Sequence, residues 1–363
     1  MGIKIIAVVG ARPNYMKVAP IWRELDKNGH VSKMLVHTGQ HYDANMSKIF
    51  FDDLKLPKPD VYLGVGSGSH GEQTSKVMFE FEKILEREHA DLVIVVGDVN
   101  STMAGALVAV KMGVSVAHVE AGLRSFDRTM PEEINRMVTD IVSDLLFTTE
   151  PSARKNLLRE GVEETKIHFV GNVMIDSLHY YRDKADRSRV LEDLSLKPDG
   201  YGLVTLHRPS NVDRTETLRG ILDALIELGS DCPMIFPAHP RTRKMIEDNK
   251  LLVPPKKLRI LDPIGYLDFA KLMMHARLVL TDSGGIQEET TVLGISCLTI
   301  RENTERPITL EIGTNRLVGV SAERIVKEGR DALRKPQGRG KIPELWDGRA
   351  SERIVRVINE YFR

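Results

Sequence analysis

The chain is poor in cysteine, and this limits its chemistry. It has 2 cysteines among 363 residues, and Cys232 and Cys297 each lie beside or within an apolar run. No His or Cys spacing around them matches a metal site. We therefore expect two buried thiols in a reducing compartment, which excludes a disulfide scaffold and a cysteine-ligated metal centre.

The chain also lacks an excess of either charge. Lys and Arg together number 51, as do Asp and Glu, so the formal net charge is zero. This balance argues against a broad nucleic-acid or membrane-binding surface, although it allows a local basic pocket.

Long apolar runs are missing as well. No stretch approaches the roughly 20 apolar residues of a membrane span, and the first residues, IKIIAVVG, enter a predicted strand at once. We therefore expect no signal peptide, no anchor and a cytoplasmic location.

What the chain has is a regular alternation of short β-branched runs with longer amphipathic segments. In the first half the predicted strands are 4–9, 33–37, 61–65, 92–96, 115–119, 145–148 and 167–170, with helices at 16–27, 73–88, 102–112 and 131–143. The alternation restarts after residue 172, with strands at 202–206, 234–237, 258–260, 278–281 and 296–300 and helices at 216–228, 241–249, 266–275 and 285–293. Continuous apolar strands separated by helices are typical of parallel sheets covered on both faces.

The restart predicts two Rossmann-like α/β domains, at 1–171 and 172–349, with a C-terminal helix at 350–363 that packs back on the first. A chain of this length is comfortable for two domains. Ligands of open α/β sheets bind beyond the carboxyl ends of the strands, so we expect the two sheets to face one cleft.

The segment LVLTDSGGIQEETT, residues 278–291, is central to the prediction. An apolar strand runs into Ser283, Gly284 and Gly285 and restarts as a helix, whose free N–H groups and dipole suit a phosphate. Glu288 and Glu289 follow one turn later, where a carboxylate can accept from sugar hydroxyls. An ordinary strand-to-helix turn with a serine cap explains the pattern equally well.

In the first half, candidate groups lie at strand ends. Arg12 and Lys17 flank the start of a helix, where cations oppose the helix dipole, so an anionic ligand explains them better than a solvated pair does. Asp98 and Glu120 directly follow strands, and Glu132 opens a helix. Gathered carboxylates can provide a general acid and a general base, although Asp98 could be a helix cap and Glu132 a dipole partner.

In the second half, two strands end in His-Arg pairs. His207 and Arg208 follow the strand at 202–206, and His239 and Arg241 follow the strand at 234–237. With the Ser283–Gly285 turn they predict an anion-binding pocket.

Two further motifs are given structural interpretations. HTGQHYD holds His37 and His41 but no third metal ligand, so we interpret it as a polar loop. GSGSHG at 66–71 matches a dinucleotide-binding pattern, but it follows the third predicted strand and lacks an acid at the required distance, so we interpret it as a flexible loop.

Nine segments together resemble the non-hydrolysing UDP-N-acetylglucosamine 2-epimerases. In order they are GARPNYMKVAP, HTGQHYD, GDVNST, HVEAGLRS, PEEINR, VGNVMIDSL, HRPSNVD, AHPR and DSGGIQEE. The resemblance implies a glycosyltransferase-B-like fold and interconversion of UDP-GlcNAc and UDP-ManNAc without a cofactor or metal. It also implies a homodimer that feeds glycan or polysaccharide synthesis.

The resemblance implies a mechanism in which UDP is eliminated to a 2-acetamidoglucal and added back. It assigns acid–base chemistry to Asp98, Glu120 and Glu132, and the leaving pyrophosphate to His207, Arg12 and Lys17. It assigns the phosphates to Ser283–Gly285 and the ribose to Glu289. His239 and Arg241 join the substrate contacts, and a second UDP-GlcNAc site of some members would use Gln40, His41 and Arg208 here, with His239.

Three alternatives remain at this stage. A hydrolysing 2-epimerase, which releases ManNAc and UDP, is compatible with the chain length. A UDP-GlcNAc-dependent glycosyltransferase would need a single base, and a nucleotide-sugar sensor would need no acids. Three candidate carboxylates in one domain favour an epimerase.

Overall fold

The computed structural model describes residues 2–40, 58–251, 253–335, 338 and 340–363. The described chain forms two compact units, Met1–Tyr180 with Glu344–Arg363 (unit 1) and Tyr181–Pro343 (unit 2). His41, predicted for the second substrate site, lies outside the described residues.

Unit 1 is built on a seven-stranded parallel sheet. Its strands are β1 (Ile3–Val9), β2 (Val31–His37), β3 (Val61–Tyr62), β4 (Leu92–Val96), β5 (Ser115–Val119), β6 (Leu145–Thr148) and β7 (Ile167–Phe169). They lie in the order β3-β2-β1-β4-β5-β6-β7. The order reverses direction beside β1, so the ends of β1 and β4 form the switch point where open α/β sheets bind ligands.

Helices connect these strands. They are α1 (Arg12–Leu25), α2 (His70–Glu88), α3 (Asn100–Lys111), α4 (Pro131–Val142), α5 (Pro151–Arg159) and the 3₁₀ turn Glu164–Lys166. Helix α6 (Val173–Asp186) begins in unit 1 and ends in unit 2, and α15 (Ala350–Tyr361) belongs to unit 1. The C-terminal helix packs against α1, and Asn28, which lies just after α1, donates from Nδ2 to Asn359 Oδ1 (2.9 Å). Buried aliphatic side chains from β1, β4 and β5 fill the core beneath α2 and α3.

Unit 2 repeats the plan with six parallel strands. They are β8 (Gly202–Thr205), β9 (Met234–Pro237), β10 (Leu258–Leu261), β11 (Leu278–Thr281), β12 (Cys297–Thr299) and β13 (Asn315–Leu317), in the order β10-β9-β8-β11-β12-β13. The helices are α7 (Val190–Asp193), α8 (Pro209–Val212), α9 (Thr215–Leu228), α10 (Pro240–Asp248), α11 (Tyr266–Met274), α12 (Gly284–Leu293), α13 (Pro307–Glu311) and α14 (Ala322–Arg334). The switch point lies between β8 and β11.

The predicted α/β class with two Rossmann-like parallel sheets is confirmed. Cys232 and Cys297 are free and buried, as expected. None of the helices in the described ranges is long and apolar enough to cross a membrane.

Candidate active site

The first turn of α1 is fastened to two strands by the buried side chain of Asn14. Its Oδ1 accepts from the backbone N–H groups of Gly10 (3.2 Å) and Ala11 (2.9 Å), and its Nδ2 donates to the carbonyl of Val96 (2.9 Å). These bonds fix the turn after β1 against the end of β4. Arg12 begins α1, and its side chain lies outside what the structure describes.

Lys17, on the same helix, forms a buried ion pair with Glu120. The Nζ of Lys17 contacts the Oε2 of Glu120, and both side chains are almost completely shielded from solvent. The chain itself therefore supplies an anion beside Lys17. Loss of either partner would leave a buried charge unpaired, which costs about 3–5 kcal/mol in comparable pairs.

Glu120 also has a strained backbone. Its φ of 72° lies in the left-handed region, which residues with a Cβ rarely adopt. Gly122, two residues on, has φ 78°, and a Cβ there would lie 2.5 Å from the carbonyl oxygen of Ala153, so the turn is packed directly on α5. Such strain costs about 1–3 kcal/mol and is concentrated at functional sites.

Gly97 connects this pair to Asp98. It has φ 68°, and a Cβ built on it would lie 2.8 Å from Lys17 Nζ and 3.6 Å from Glu120 Oε2. Asp98 is the next residue, so its backbone lies beside the Lys17–Glu120 pair. The position therefore needs glycine both for its conformation and for its space.

The turn that carries Asp98 also contacts the helix that carries Glu132. Asn135 Nδ2 donates to the Asp98 carbonyl (2.9 Å), and Arg136 Nε lies 3.4 Å from Asp98 Oδ2. Both residues belong to α4, whose first turn holds Glu132. Asp98 and Glu132 keep part of their surface exposed. The structure thus brings the segments of Asp98, Glu120 and Glu132 to one region at the carboxyl edge of the sheet.

Glu133, which was not singled out in the sequence, is a structural carboxylate of this region. It is buried and accepts from Ser125 N (3.0 Å), Ser125 Oγ (3.0 Å) and Phe126 N (2.9 Å). Arg136 Nη1 donates to it from the next turn (2.8 Å). Glu133 therefore shapes the loop between β5 and α4, and its i,i+3 spacing from Arg136 was a usable signal.

In unit 2, His207 is held by a buried aspartate. Asp282 Oδ1 lies 2.9 Å from His207 Nδ1, and Asp282 also accepts from the backbone N–H of Arg208 and from Asn211 Nδ2. Burial opposes ionisation of Asp282, but the charge of His207 and these hydrogen bonds lower its pKa. The His207 side chain remains 53% exposed. Asp282 therefore fixes Nδ1 and leaves Nε2 for a ligand.

The turn at Ser283 is not an ordinary serine cap. Ser283 occupies the N-cap position of α12, but its side chain makes no capping hydrogen bond. Gly284 and Gly285 are the first two residues of the helix. A Cβ at Gly284 would lie 2.9 Å from Glu305 Oε1 and 3.0 Å from Arg306 Cζ, so a side chain would not fit without displacing them. These features fit an anion site at the helix start.

Arginines surround this turn, and two of them were not predicted. Arg301 Nη2 and Arg306 Nη1 contact Glu305 at 2.8 and 3.0 Å, and Arg208 Nη2 lies 3.6 Å from it. Arg306 Nε also donates to Glu288 (2.7 Å). Three guanidinium groups thus face two carboxylates. Arg301 Nη1 is buried and makes no hydrogen bond within the described part of the chain, which is consistent with a local basic pocket.

Glu289 is buried on α12 and accepts from Tyr266 Oη (2.9 Å). Burial raises the pKa of Glu289 to about 7, and the nearby charge of Glu288 acts in the same direction. The Tyr266 hydrogen bond opposes this shift. One carboxylate oxygen is therefore committed to Tyr266, and the carboxyl group titrates near neutral pH.

The remaining predicted residues have partners of their own. His239 Nδ1 accepts from Arg241 N (3.2 Å) at the start of α10, and Arg241 forms a surface ion pair with Asp213 (2.5 Å). Arg208 Nε donates to the carbonyl of Asp282 (3.0 Å). Gln40 is buried in unit 1, where its Oε1 accepts from the N–H (3.1 Å) and hydroxyl (2.7 Å) of Ser101. Ligand roles for these residues stay predictions.

The chain is similar to known proteins over nearly its whole length. The profile of the UDP-N-acetylglucosamine 2-epimerase family matches residues 23–359. The chain is 46% identical to a UDP-N-acetylglucosamine 2-epimerase of Methanocaldococcus jannaschii, over 98% of this chain and 99% of the relative. It is 42% identical to a UDP-2,3-diacetamido-2,3-dideoxy-D-glucuronate 2-epimerase of Pseudomonas aeruginosa, over 98% and 99%.

A solved structure of a relative has the same fold as this chain. The crystal structure of the M. jannaschii UDP-GlcNAc 2-epimerase in complex with UDP-GlcNAc and UDP superposes with a TM-score of 0.93 at 46% identity, covering 99% of this chain and 100% of that one. The match extends over both units. The chain belongs to the UDP-N-acetylglucosamine 2-epimerase family.

Proposed function

We propose that the protein interconverts UDP-GlcNAc and UDP-ManNAc by inversion at C2, without releasing the free sugar. The observation that supports this most strongly is the gathering of the Asp98, Glu120 and Glu132 segments at one sheet edge, in a chain 46% identical along its length to a named 2-epimerase. Unit 1 would supply the acid–base chemistry and unit 2 would hold UDP.

The reaction is an elimination followed by an addition. A carboxylate removes the C2 proton, the C1–O bond to UDP breaks, and the C–H electron pair becomes the C1–C2 double bond of a 2-acetamidoglucal. UDP oxygen then adds back to C1, and a carboxylic acid returns a proton to the other face of C2. Atoms and electrons balance without a redox cofactor, and two of the three carboxylates suffice as base and acid.

The C2 proton is weakly acidic, so the departing diphosphate must be stabilised. From unit 2 we assign to this charge the Nε2 of the half-exposed His207, the N-terminus of α12 and Arg301. We assign Arg12 and Lys17 to the same charge, and Glu289 to the ribose. Asp282 orients His207 as the carboxylate of a catalytic dyad would.

A second sugar is a specific alternative. The 42% identity to the P. aeruginosa protein is close to the 46% identity to the M. jannaschii protein, and both alignments span 98% of this chain. Identity alone therefore leaves UDP-2,3-diacetamido-2,3-dideoxy-D-glucuronate as a competing substrate with the same C2 chemistry.

The test is incubation of the purified protein with each UDP-sugar in D₂O, followed by NMR and mass spectrometry. We expect UDP-ManNAc deuterated at C2 and an intact nucleotide sugar from UDP-GlcNAc. Exchange confined to the diacetamido-glucuronate would shift the substrate assignment. Free ManNAc with UDP would indicate hydrolysis, and no exchange with either sugar would refute the epimerase proposal.

We further propose that the enzyme works in the cytoplasm as a homodimer that supplies ManNAc units for glycan synthesis. Light scattering during size exclusion should then give twice the mass of one chain. A monomer mass at micromolar concentration would overturn the dimer.

A further inference from the structure

His118 is a buried imidazole in the middle of an apolar strand. Its neighbours on β5, Val116, Ala117 and Val119, are buried and apolar, and His118 itself is fully shielded from solvent. Its Nε2 lies 2.8 Å from the carbonyl oxygen of Gly97, and its Nδ1 lies 2.6 Å from Asp140 Oδ1. A buried polar ring of this kind is costly unless both nitrogens are satisfied, and here both are.

The two partners lie on the segments that carry the other predicted carboxylates. Gly97 directly precedes Asp98, and Asp140 lies two turns beyond Glu132 on α4. His118 itself is two residues before Glu120 on the chain. One side chain therefore links the three segments of the candidate acid–base site.

Asp140 extends the link to the strained turn. Its Oδ2 accepts from Gly122 N (3.1 Å) and lies 2.7 Å from Arg124 Nη1. Arg124 in turn contacts the Glu160 carboxylate (2.6 Å). Burial opposes the charge of Asp140, but its interactions with His118 and Arg124 lower its pKa. The carboxylate is thus the ionised centre of the network.

Both partners of the ring are oxygen atoms. A carbonyl oxygen can only accept, so Nε2 of His118 donates to Gly97, and Nδ1 shares a hydrogen bond with the Asp140 carboxylate. The network thus places the His118 ring and the Arg124 guanidinium against the carboxylates of Asp140 and Glu160. An apolar residue would fill the same volume at lower cost, and would hold neither Gly97 nor Asp140.

We propose that His118 is a positioning residue that holds Gly97 and Asp140, and through them sets the placement of Asp98, Glu120 and Glu132 for proton transfer. This inference rests on the proposed epimerase function. Outer hydrogen bonds that orient metal ligands change activity by about 10–100-fold when they are lost, and we expect a loss of similar size here, because a displacement of about 1 Å can cost 100-fold in rate.

Two variants separate the two bonds. In His118→Asn the amide nitrogen can still reach Asp140 but not Gly97, and in His118→Gln it can reach Gly97 but not Asp140. His168→Asn is the matched control, because His168 lies on β7, the edge strand of the same sheet, and packs on Phe147. C2–H exchange in D₂O, UDP affinity by calorimetry and amide exchange by mass spectrometry are measured for each.

We expect kcat to fall about 10–100-fold in both His118 variants, with UDP affinity within about twofold of wild type. Amide exchange should accelerate in peptides covering 97–102 and 119–125 and stay unchanged in unit 2. The His168 variant should keep wild-type kcat. Near-wild-type kcat in both folded His118 variants would overturn the proposal, as would a parallel loss of UDP affinity or deprotection of the whole chain.

Two readouts are independent of the epimerase reaction. If the wild type exchanges no substrate proton, the proposed function fails, and local deprotection in the His118 variants still supports the positioning link while unchanged protection refutes it. Should neither variant fold, ¹⁵N-histidine NMR of the wild type decides. A His118 ring whose Nε2 carries a slowly exchanging, hydrogen-bonded proton supports the link, and a His118 Nε2 without a proton overturns it.

Discussion

Glu289 is a single residue whose ionisation should control nucleotide affinity. It is buried, it accepts from Tyr266, and its pKa is raised to about 7. The ribose hydroxyls of a bound nucleotide would donate hydrogen bonds to Glu289, and such bonds favour the ionised carboxylate. Binding of UDP should therefore release a proton at neutral pH.

We expect the affinity for UDP to rise about tenfold from pH 6 to pH 8, because a carboxyl group with a pKa near 7 goes from mostly protonated to mostly ionised across that range. Calorimetry in buffers of different ionisation enthalpy measures both the affinity and the released proton. Tyr266→Phe removes a bond that lowers the Glu289 pKa, so it should move the transition to higher pH.

Glu289→Gln should remove this pH dependence of UDP affinity. The matched control is Glu227→Gln, which changes an exposed carboxylate on α9 of the same unit and should leave the pH dependence intact. Wild-type UDP affinity that is independent of pH across this range would contradict the assignment of Glu289 to the ribose.

At the scale of the element, the start of α12 has little room for a side chain at Gly284. We expect Gly284→Ala to lower UDP affinity at least tenfold, because its methyl group would lie about 3 Å from Glu305 and Arg306 and would stand where a phosphate approaches the backbone. Calorimetric titration with UDP measures the loss.

Gly220→Ala is the matched control for this substitution. Gly220 lies inside α9, and nothing is within 4 Å of a Cβ placed there. Alanine should therefore leave UDP affinity unchanged and add about 0.5–1 kcal/mol of stability. Equal affinity in the wild type and Gly284→Ala would exclude a phosphate site at this helix start.

Most strands were predictable from the sequence, whereas β13 and helices such as α6 and α14 were not among the predicted elements. The misplaced ends of predicted elements have local causes. Helix α1 begins at Arg12 instead of residue 16, because Asn14 caps the backbone of Gly10 and Ala11. Strand β3 ends at Tyr62 instead of residue 65, since Gly64 adopts a φ of 66°. The hydrophobic period marks where an element lies, while caps and left-handed residues decide where it ends.

The site was less predictable, because its supporting contacts join distant segments. Arg306 gains its role from Glu288, 18 residues away, and His118 gains its role from Gly97 and Asp140. A histidine within an apolar strand carries no local signal of such a partner. The position of Glu120 at a strand end was visible in the sequence, but its ion pair with Lys17 is visible only in the structure.

Across the whole molecule, we assign proton transfer to unit 1 and nucleotide binding to unit 2. The predicted acid–base carboxylates belong to unit 1, while Ser283, Gly284 and His207 belong to unit 2. Chemistry and nucleotide binding should therefore be separable by substitution, even though one chain carries both.

The substitution Glu120→Gln tests whether the chemistry can be lost without UDP binding, just as Gly284→Ala tests the loss of UDP binding. We expect it to lower C2–H exchange by more than about 1,000-fold, the loss of one essential proton-transfer group, while UDP still binds. At 100 times its Kd, UDP should stabilise wild type and variant alike by about 2.7 kcal/mol, seen as a rise in Tm.

Without UDP, the Glu120→Gln variant should be less stable than the wild type, because Lys17 remains buried beside a neutral amide. Lys17→Met combined with Glu120→Gln should regain that stability and stay inactive. Exchange within tenfold of wild type, or a Tm that no longer responds to UDP, would mean that Glu120 is not the acid–base residue assigned to it.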